Sequence, residues 1–310
     1  MTAEGMRSAG AVIARLLAAA EQVILGKPEA LRLALTCLLA GGHLLIEDQP
    51  GVGKTTLAHL LARLLGLGFQ RIQFTSDLLP ADMLGVSIFD RTTQSFHFQR
   101  GPIFTHVLLA DEVNRATPRA QSALLEAMEE RQVTIEGVTH PLPAPFFVIA
   151  TQNPADQAGT FPLPESQLDR FLMRLSLGYP DRSAERALLR GEDRRVLIAR
   201  MPAMIGRDLL DSLQQQVGAV HVSEPLLAYV QDLLAFTRSS PRYAAGLSPR
   251  AGLALLRAAK AWALAAGRGH ALPEDLQAVL GAVVTHRLHA SDGSQGEALA
   301  AALREAVPIP

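Results

Sequence analysis

The stretch Asp48-Gln49-Pro50-Gly51-Val52-Gly53-Lys54-Thr55 constrains the fold of this chain more than any other. It follows a short apolar run, residues 43–47, that reads as a strand. It opens a run, residues 55–65, whose leucines at 57, 60, 61, 64 and 65 form one helical face. Strand, glycine-rich loop and helix in that order form the setting in which backbone N–H groups turn inward toward phosphate oxygens, backed by the positive end of a helix. In this pattern Gly51 and Gly53 supply the turn, Lys54 pairs with the β- and γ-phosphates of a nucleotide, and the Thr55 hydroxyl ligates Mg2+. Pro50, Val52 and Thr56 belong to the same nucleotide-binding loop. Asp48 stands where the general pattern has glycine, and aspartate tolerates turn conformations better than most residues. The same residues could make an ordinary tight turn with a surface lysine, but the flanking strand and helix favour phosphate.

Composition sharpens the weight on Lys54. Of 29 basic residues only Lys27, Lys54 and Lys260 are lysine, so a lysine inside a glycine-rich loop is hard to assign to surface decoration. The 310 residues suffice for about two domains at roughly 100–200 residues each, and 48% hydrophobic with 19% charged residues excludes a disordered tail. A net charge of -1 leaves no broad basic face for gripping a phosphate backbone, so no nucleic-acid partner is expected. Arg15, Glu21, Arg32, Arg257 and Lys260 interrupt every apolar run before the roughly 18 residues of a membrane span. Met1-Thr2-Ala3-Glu4 does not open a secretion signal, and the single cysteine, Cys37, sits in an apolar stretch as a buried structural thiol. The expected compartment is the reducing cytoplasm.

Along the chain, residues 11–25 and 28–40 read as helices, with Pro28 in a tolerated first-turn position and Gly41-Gly42 as a stop. Residues 69–75, 107–110 and 146–150 read as strands, the last two as continuous apolar runs typical of strands buried on both faces. This alternation of strand and helix predicts a parallel sheet covered on both sides. Two inserts interrupt it, residues 86–98 and 132–140, and both read as β-hairpins, the second turning at Glu136-Gly137. From Asp181 onward only helical patterning remains: Ser223 as a helix cap, Ser248-Pro249 opening another helix, and Pro273-Glu274-Asp275 starting a third that ends near His286-Arg287. The boundary falls near 180, dividing an α/β nucleotide-binding domain, 1–180, from a helical domain, 181–310.

Val107-Leu108-Leu109-Ala110-Asp111-Glu112 is an apolar strand ending in two carboxylates. Asp111 can hold Mg2+ through water, and Glu112 can orient and deprotonate an attacking water. In isolation this would be a strand end with solvated acids; after a phosphate loop it reads as the second half of a nucleotide site.

Several longer strings are more specific. Ile72-Gln73-Phe74-Thr75-Ser76-Asp77-Leu78-Leu79-Pro80, Ala110-Asp111-Glu112-Val113-Asn114-Arg115-Ala116, Leu124-Leu125-Glu126-Ala127-Met128-Glu129-Glu130-Arg131-Gln132-Val133-Thr134 and Ala150-Thr151-Gln152-Asn153-Pro154 together resemble the MoxR family of AAA+ ATPases. The resemblance runs from about Gln22 to the last predicted helix. It implies an α/β fold: an AAA+ P-loop NTPase core with a five-stranded parallel sheet, two β-hairpin inserts and an all-α C-terminal lid, assembled as a homo-oligomeric ring, commonly a hexamer, with ATP and Mg2+ at each interface. It implies for Asn153 the polar sensor that holds the water or reads the γ-phosphate, and for Arg250, in the first turn opened by Ser248-Pro249, a second sensor on the lid. Arg170, in Leu163-Pro164-Glu165-Ser166-Gln167-Leu168-Asp169-Arg170-Phe171, matches the arginine finger offered to a neighbouring subunit, with Arg174 and Arg115 as rivals and a salt bridge to Asp169 or Glu165 as the structural alternative. Val23-Ile24-Leu25-Gly26 resembles the adenine-pocket segment, so Ile24 and Gly26 join the nucleotide-binding set.

The function so implied is an ATP-hydrolysing, chaperone-like motor that remodels or activates a partner protein, typically one with a von Willebrand A domain. A magnesium-chelatase-like motor subunit shares this chemistry with a different client, and a non-hydrolysing nucleotide-binding scaffold would lack catalytic acids. A GTP switch would need Asn-Lys-x-Asp, which none of the three lysines provides. A DNA-translocating motor would need basic pore elements, yet residues 86–98 carry only Arg91 against Asp90.

Overall fold

The computed structural model describes residues 3–153, 159–291, 293 and 296–309; Pro154 of the Asn153-Pro154 pair lies outside the described residues. In chain order, α1 (Ala3–Glu21) and α2 (Pro28–Leu39) lead into β1 (His43–Glu47), and the phosphate loop joins β1 to α3 (Lys54–Leu64). Next come β2 (Phe69–Gln73), the short α4 (Pro80–Leu84) and a hairpin of β3 (Gly85–Asp90) and β4 (Ser95–Arg100). They are followed by β5 (Val107–Asp111), a 3-10 turn (Val113–Arg115), α5 (Pro118–Glu130), and a second hairpin of β6 (Gln132–Ile135) and β7 (Val138–Pro141). β8 (Phe147–Gln152), α6 (Glu165–Leu168) and β9 (Phe171–Leu175) close the strand-bearing part. Helices α7 (Arg182–Arg190), α8 (Arg194–Arg200), α9 (Arg207–Ala219), α10 (Glu224–Ser239), α11 (Pro249–Ala265), α12 (Pro273–Val284) and α13 (Glu297–Ala306) complete the chain.

The main sheet has five strands in the order β2-β5-β8-β1-β9, and β5 runs parallel to both β2 and β8. The unbroken apolar run at 107–110 occupies its interior because a strand covered on both faces has no solvent side to alternate toward; all five residues of β5 are buried. Its register, Ile72↔Ala110 and Gln73↔Asp111, brings the C-terminal ends of β2 and β5 level, and Asp48 N donates to Gln152 O at 3.2 Å beside the end of β8. Three neighbouring strands and the loop after β1 thus deliver their chemistry to one rim. Ligands of open α/β sheets bind at such a rim, outside the carboxyl ends of the strands.

Two compact units emerge, and they do not follow chain order. One comprises Met1–Leu44, Phe171–Leu175 and Asp208–Pro310; the other comprises Leu45–Arg170 and Ser176–Arg207. In the first, α11 packs on α12, α10, α1 and α2. Its alanine-rich faces permit this: Ala251, Ala258, Ala259, Ala261 and Ala263 are all fully buried, so several helices approach closely. Helix α1 begins at Ala3 and ends at Glu21 instead of spanning 11–25. Met6, Ala9, Ile13, Leu16 and Ala20 form one buried stripe at helical spacing, which carries the helix through Gly10. Ser248 caps α11 by accepting from Ala251 N at 3.1 Å, whereas Ser223 occupies the cap position of α10 without a side-chain bond. Cys37 is buried, its thiol donating to His43 O at 3.4 Å, and burial pushes its pKa up.

In the second unit, α3 packs on β2, β5 and α8. Both inserts are antiparallel hairpins, and Glu136 and Gly137 turn the second with φ of 51° and 81°. The hairpins meet: Phe98 of β4 stacks on His140 of β7 with ring centroids 4.1 Å apart.

Candidate nucleotide site

The phosphate loop is built on two left-handed glycines, Gly51 at φ 87° and Gly53 at φ 98°, the latter capping α3. A Cβ at either would meet nothing within 4 Å, so glycine is required by backbone conformation and not by crowding, and the concave side stays open. Pro50, Gly51 and Thr55 are exposed, and Val52, Gly53 and Thr56 partly so. Lys54 is the exception, only 8% exposed. Its ammonium donates to Asp48 O at 2.7 Å and to Asn153 Oδ1 at 3.2 Å. Burial holds its pKa below the usual lysine value, while Asp111, then Asp48 and Glu112, act in the opposite sense.

Asp48 has a different job from the one its position suggests. Its backbone is not left-handed, so tolerance of turn conformations is not what the residue contributes. The buried carboxylate reaches across to the segment after β9: Oδ2 accepts from Leu177 N at 2.6 Å, Gly178 N at 2.7 Å and Ser176 Oγ at 3.1 Å. Oδ1 accepts from Gln49 N at 2.9 Å. Where the general loop has glycine, this chain ties the loop down.

Four of the expected residues share one hydrogen-bonded chain. Asn153 accepts from Lys54 and donates through Nδ2 to Glu112 Oε1 at 2.9 Å. Glu112 adopts a left-handed conformation, φ 56° and ψ 48°, rare for a residue with a side chain. This turn is held by its own N–H, which donates to Thr151 Oγ1 at 2.8 Å. Thr151 in turn donates to Asp111 Oδ1 at 2.6 Å. One buried threonine therefore positions both acids. Asn114, buried beside them, donates to Asn153 O at 3.1 Å.

Gln73 and Arg71, which were not expected, and Arg115, expected only as a rival finger, complete the ring of contacts. Gln73 Nε2 donates to Glu112 Oε2 at 2.8 Å, and Arg115 Nη1 lies 3.2 Å from the same oxygen. Arg71 Nη2 donates to Asp111 Oδ2 at 2.6 Å. Gln73 lies inside a string quoted above for its resemblance, and Arg71 directly precedes it. Only the register of β2 against β5 sets the pair beside the acids.

Arg170 follows α6 in a turn, its guanidinium 2.8 Å from Glu129 Oε2. Arg115 points at Glu112 of its own chain, and Arg174 lies in β9. Arg250 is exposed in the first turn of α11, Ile24 is buried after α1, and Gly26 has φ 70°; these three belong to the other compact unit.

The donors offered to a cation are the Thr55 hydroxyl and the Asp111 carboxylate, hard oxygens that suit Mg2+. Among the described residues no group of three or more His, Cys, Asp or Glu could hold a metal. A cation here would draw most of its ligands from water and phosphate, as Mg2+ commonly does.

The model of the ATPase family associated with various cellular activities (AAA) matches residues 43–173, and the AAA lid domain model matches residues 235–306. The chain is 39% identical to Chaperone MoxR1 of Mycobacterium tuberculosis over 295 residues, 92% of this chain and 78% of that protein. The chain belongs to the MoxR family of AAA+ ATPases. It is also 43% identical to the uncharacterized protein YeaC of Bacillus subtilis, over 93% of this chain and 92% of that one. A solved structure from Cytophaga hutchinsonii, 35% identical, superposes with a TM-score of 0.88 over 99% of this chain and 98% of that one. MoxR-family membership brings with it a chaperone-like AAA+ ATPase. No described helix is long and apolar enough to cross a membrane.

Proposed function

We propose that this chain hydrolyses Mg2+-bound ATP and uses the energy to remodel or activate a partner protein in the cytoplasm. The observation that carries the reading is the continuous chain Lys54–Asn153–Glu112, which links the phosphate loop to a carboxylate through one amide. Gly51, Val52, Gly53 and Thr56 would cradle the phosphates with backbone N–H groups, and Lys54 would exchange its bond to Asn153 for the β- and γ-phosphates. The amide so released can hold the attacking water or sense the γ-phosphate. Glu112 would accept that water's proton as its oxygen attacks the γ-phosphorus. The bond to the β–γ bridging oxygen breaks, leaving ADP and phosphate. Mg2+, held by Thr55 and through water by Asp111, would neutralise charge on the phosphate oxygens.

Family membership supports a reading of the wider assembly. In a homo-oligomeric ring, commonly hexameric, Arg170 would leave Glu129 and reach the γ-phosphate of the neighbouring subunit, Arg250 would sense it from the lid, and Ile24 and Gly26 would border the adenine. The functional division is an α/β nucleotide domain, 1–180, and a helical lid, 181–310. A partner bearing a von Willebrand A domain is the expected client or adaptor. The first hairpin leaves Val86, Ile88, Phe89 and Phe96 exposed, an apolar surface suited to a protein partner.

Phosphate release from ATP by the wild type and Glu112→Gln tests the core of this reading. The substitution keeps the size and one accepting oxygen but removes the base, and a loss of about a hundredfold or more is expected. Equal rates would leave a nucleotide-binding scaffold in its place.

A further inference from the structure

Asp111, the acid expected to hold the metal, already has a cation. Arg71 and Gln73 alternate along β2 and so share one face of the sheet, level with Leu109 and Asp111 of β5. The Arg71 guanidinium grips Asp111 Oδ2 twice, from Nη2 at 2.6 Å and from Nε at 3.1 Å. Its Nη2 also donates to Gln73 Oε1 at 2.8 Å, and the Gln73 amide passes on to Glu112. The other oxygen, Oδ1, accepts from Thr151. Both Asp111 oxygens therefore have donors, although the carboxylate side chain is only 10% exposed.

A buried carboxylate next to a triphosphate would be repelled by it unless its charge were neutralised. Arg71 performs that neutralisation from the solvent side, where its own long side chain is 48% exposed. A divalent cation approaching Asp111 meets the same oxygen and the same positive charge. The guanidinium and the metal are thus competitors for one carboxylate.

Resting on the nucleotide-site reading above, we propose that Arg71 is the resident counter-ion of the metal-binding acid. It neutralises Asp111 while no divalent cation is present, lets nucleotide enter in that state, and yields Asp111 when Mg2+ arrives. Arg71 is a positioning residue in this scheme: it acts through Asp111 and sets how strongly nucleotide affinity depends on Mg2+.

The test measures binding of a fluorescent ATP analogue to the full chain, in EDTA and in excess Mg2+, for the wild type, Arg71→Ala and Arg71→Lys. Without Arg71 the metal-free site presents an unpaired carboxylate to the phosphates. Arg71→Ala should therefore bind about tenfold or more weakly in EDTA, yet stay within about threefold of the wild type in Mg2+. Arg71→Lys, which restores the charge without the fork, should recover most of the loss in EDTA. An equal loss in both conditions would mean that Arg71 merely supports the strand end or touches phosphate directly, and would overturn the proposal. So would no change in either. Should Arg71→Ala fail to fold, Arg71→Gln keeps the side chain's bulk and faces the same comparison. The nucleotide-site reading fails separately, and visibly, if the wild type binds the analogue no better than Lys54→Ala does.

Discussion

Replacing Asp48 by glycine would restore the residue that phosphate loops ordinarily carry at that position, and on sequence grounds it should be neutral. The structure predicts the opposite. One buried oxygen accepts from Leu177 N, Gly178 N and Ser176 Oγ at 2.6, 2.7 and 3.1 Å. Hydrogen bonds to a charged group contribute about 1.5–3 kcal/mol each, and such contributions are not additive when one acceptor serves them all. Removing the carboxylate leaves two backbone N–H groups without it, so a loss of about 3–5 kcal/mol is expected for Asp48→Gly. Asp48→Asn keeps an oxygen in place but gives up the charge, and should cost about 1–2 kcal/mol. The only tryptophan, Trp262, lies in the other compact unit, so its fluorescence would miss a local effect. Far-UV circular dichroism in urea, combined with amide hydrogen exchange at Leu177 and Gly178, reports on the right place. A local loss of about 3 kcal/mol speeds exchange at those two amides by about a hundredfold. If Asp48→Gly stays within about 0.5 kcal/mol of the wild type and the two amides remain protected, the clamp contributes nothing and the reasoning is refuted.

Two further outcomes follow from the helical unit. His286 is buried, donating from Nε2 to Phe171 O at 3.0 Å, and burial, then the neighbouring Arg287 and Arg174, hold its pKa well below the usual value. The unfolded chain takes up that proton near pH 6.5 while the folded chain does not, so stability is full above pH 6.5 and falls below it by up to about 1.4 kcal/mol per pH unit. Urea midpoints at pH 7.5 and 5.5 should therefore converge in His286→Gln; an unchanged pH slope would exclude His286 as the cause. Gly10→Ala should lower the melting temperature, although glycine to alanine inside a helix usually gains about 0.5–1 kcal/mol. The added Cβ would lie 2.7 Å from Gly267 Cα and 2.8 Å from Gly267 N, which are backbone atoms with little room to yield. A raised melting temperature would show that α1 can shift without cost.

The features legible in the sequence are those written in local periodicity and turn chemistry. The apolar run at 107–110 read as a strand buried on both faces, Gly51 and Gly53 read as the turn of a phosphate loop, and Glu136-Gly137 read as a hairpin turn; the structure has each of them. The length of α1 was less legible, because a glycine and polar residues near its start interrupt the pattern without breaking the helix. Ser223 illustrates the converse: a good capping residue in the right place that makes no capping bond.

Arg71, Gln73, Thr151 and the clamp from Asp48 carry no local signal of their role. Arg71 and Asp111 are 40 residues apart, and Asp48 and Leu177 are 129 apart. Their partnerships arise from strand order and register, which follow from how the whole sheet buries its apolar faces and not from any window of sequence. The sequence alone therefore pointed to the groups suited to phosphate chemistry: one lysine in a glycine-rich loop and two acids at a strand end. Tertiary structure decided what state those groups are in, with the lysine held by an asparagine, one acid neutralised by an arginine from the adjacent strand, and the loop moored by the aspartate that stands in place of glycine.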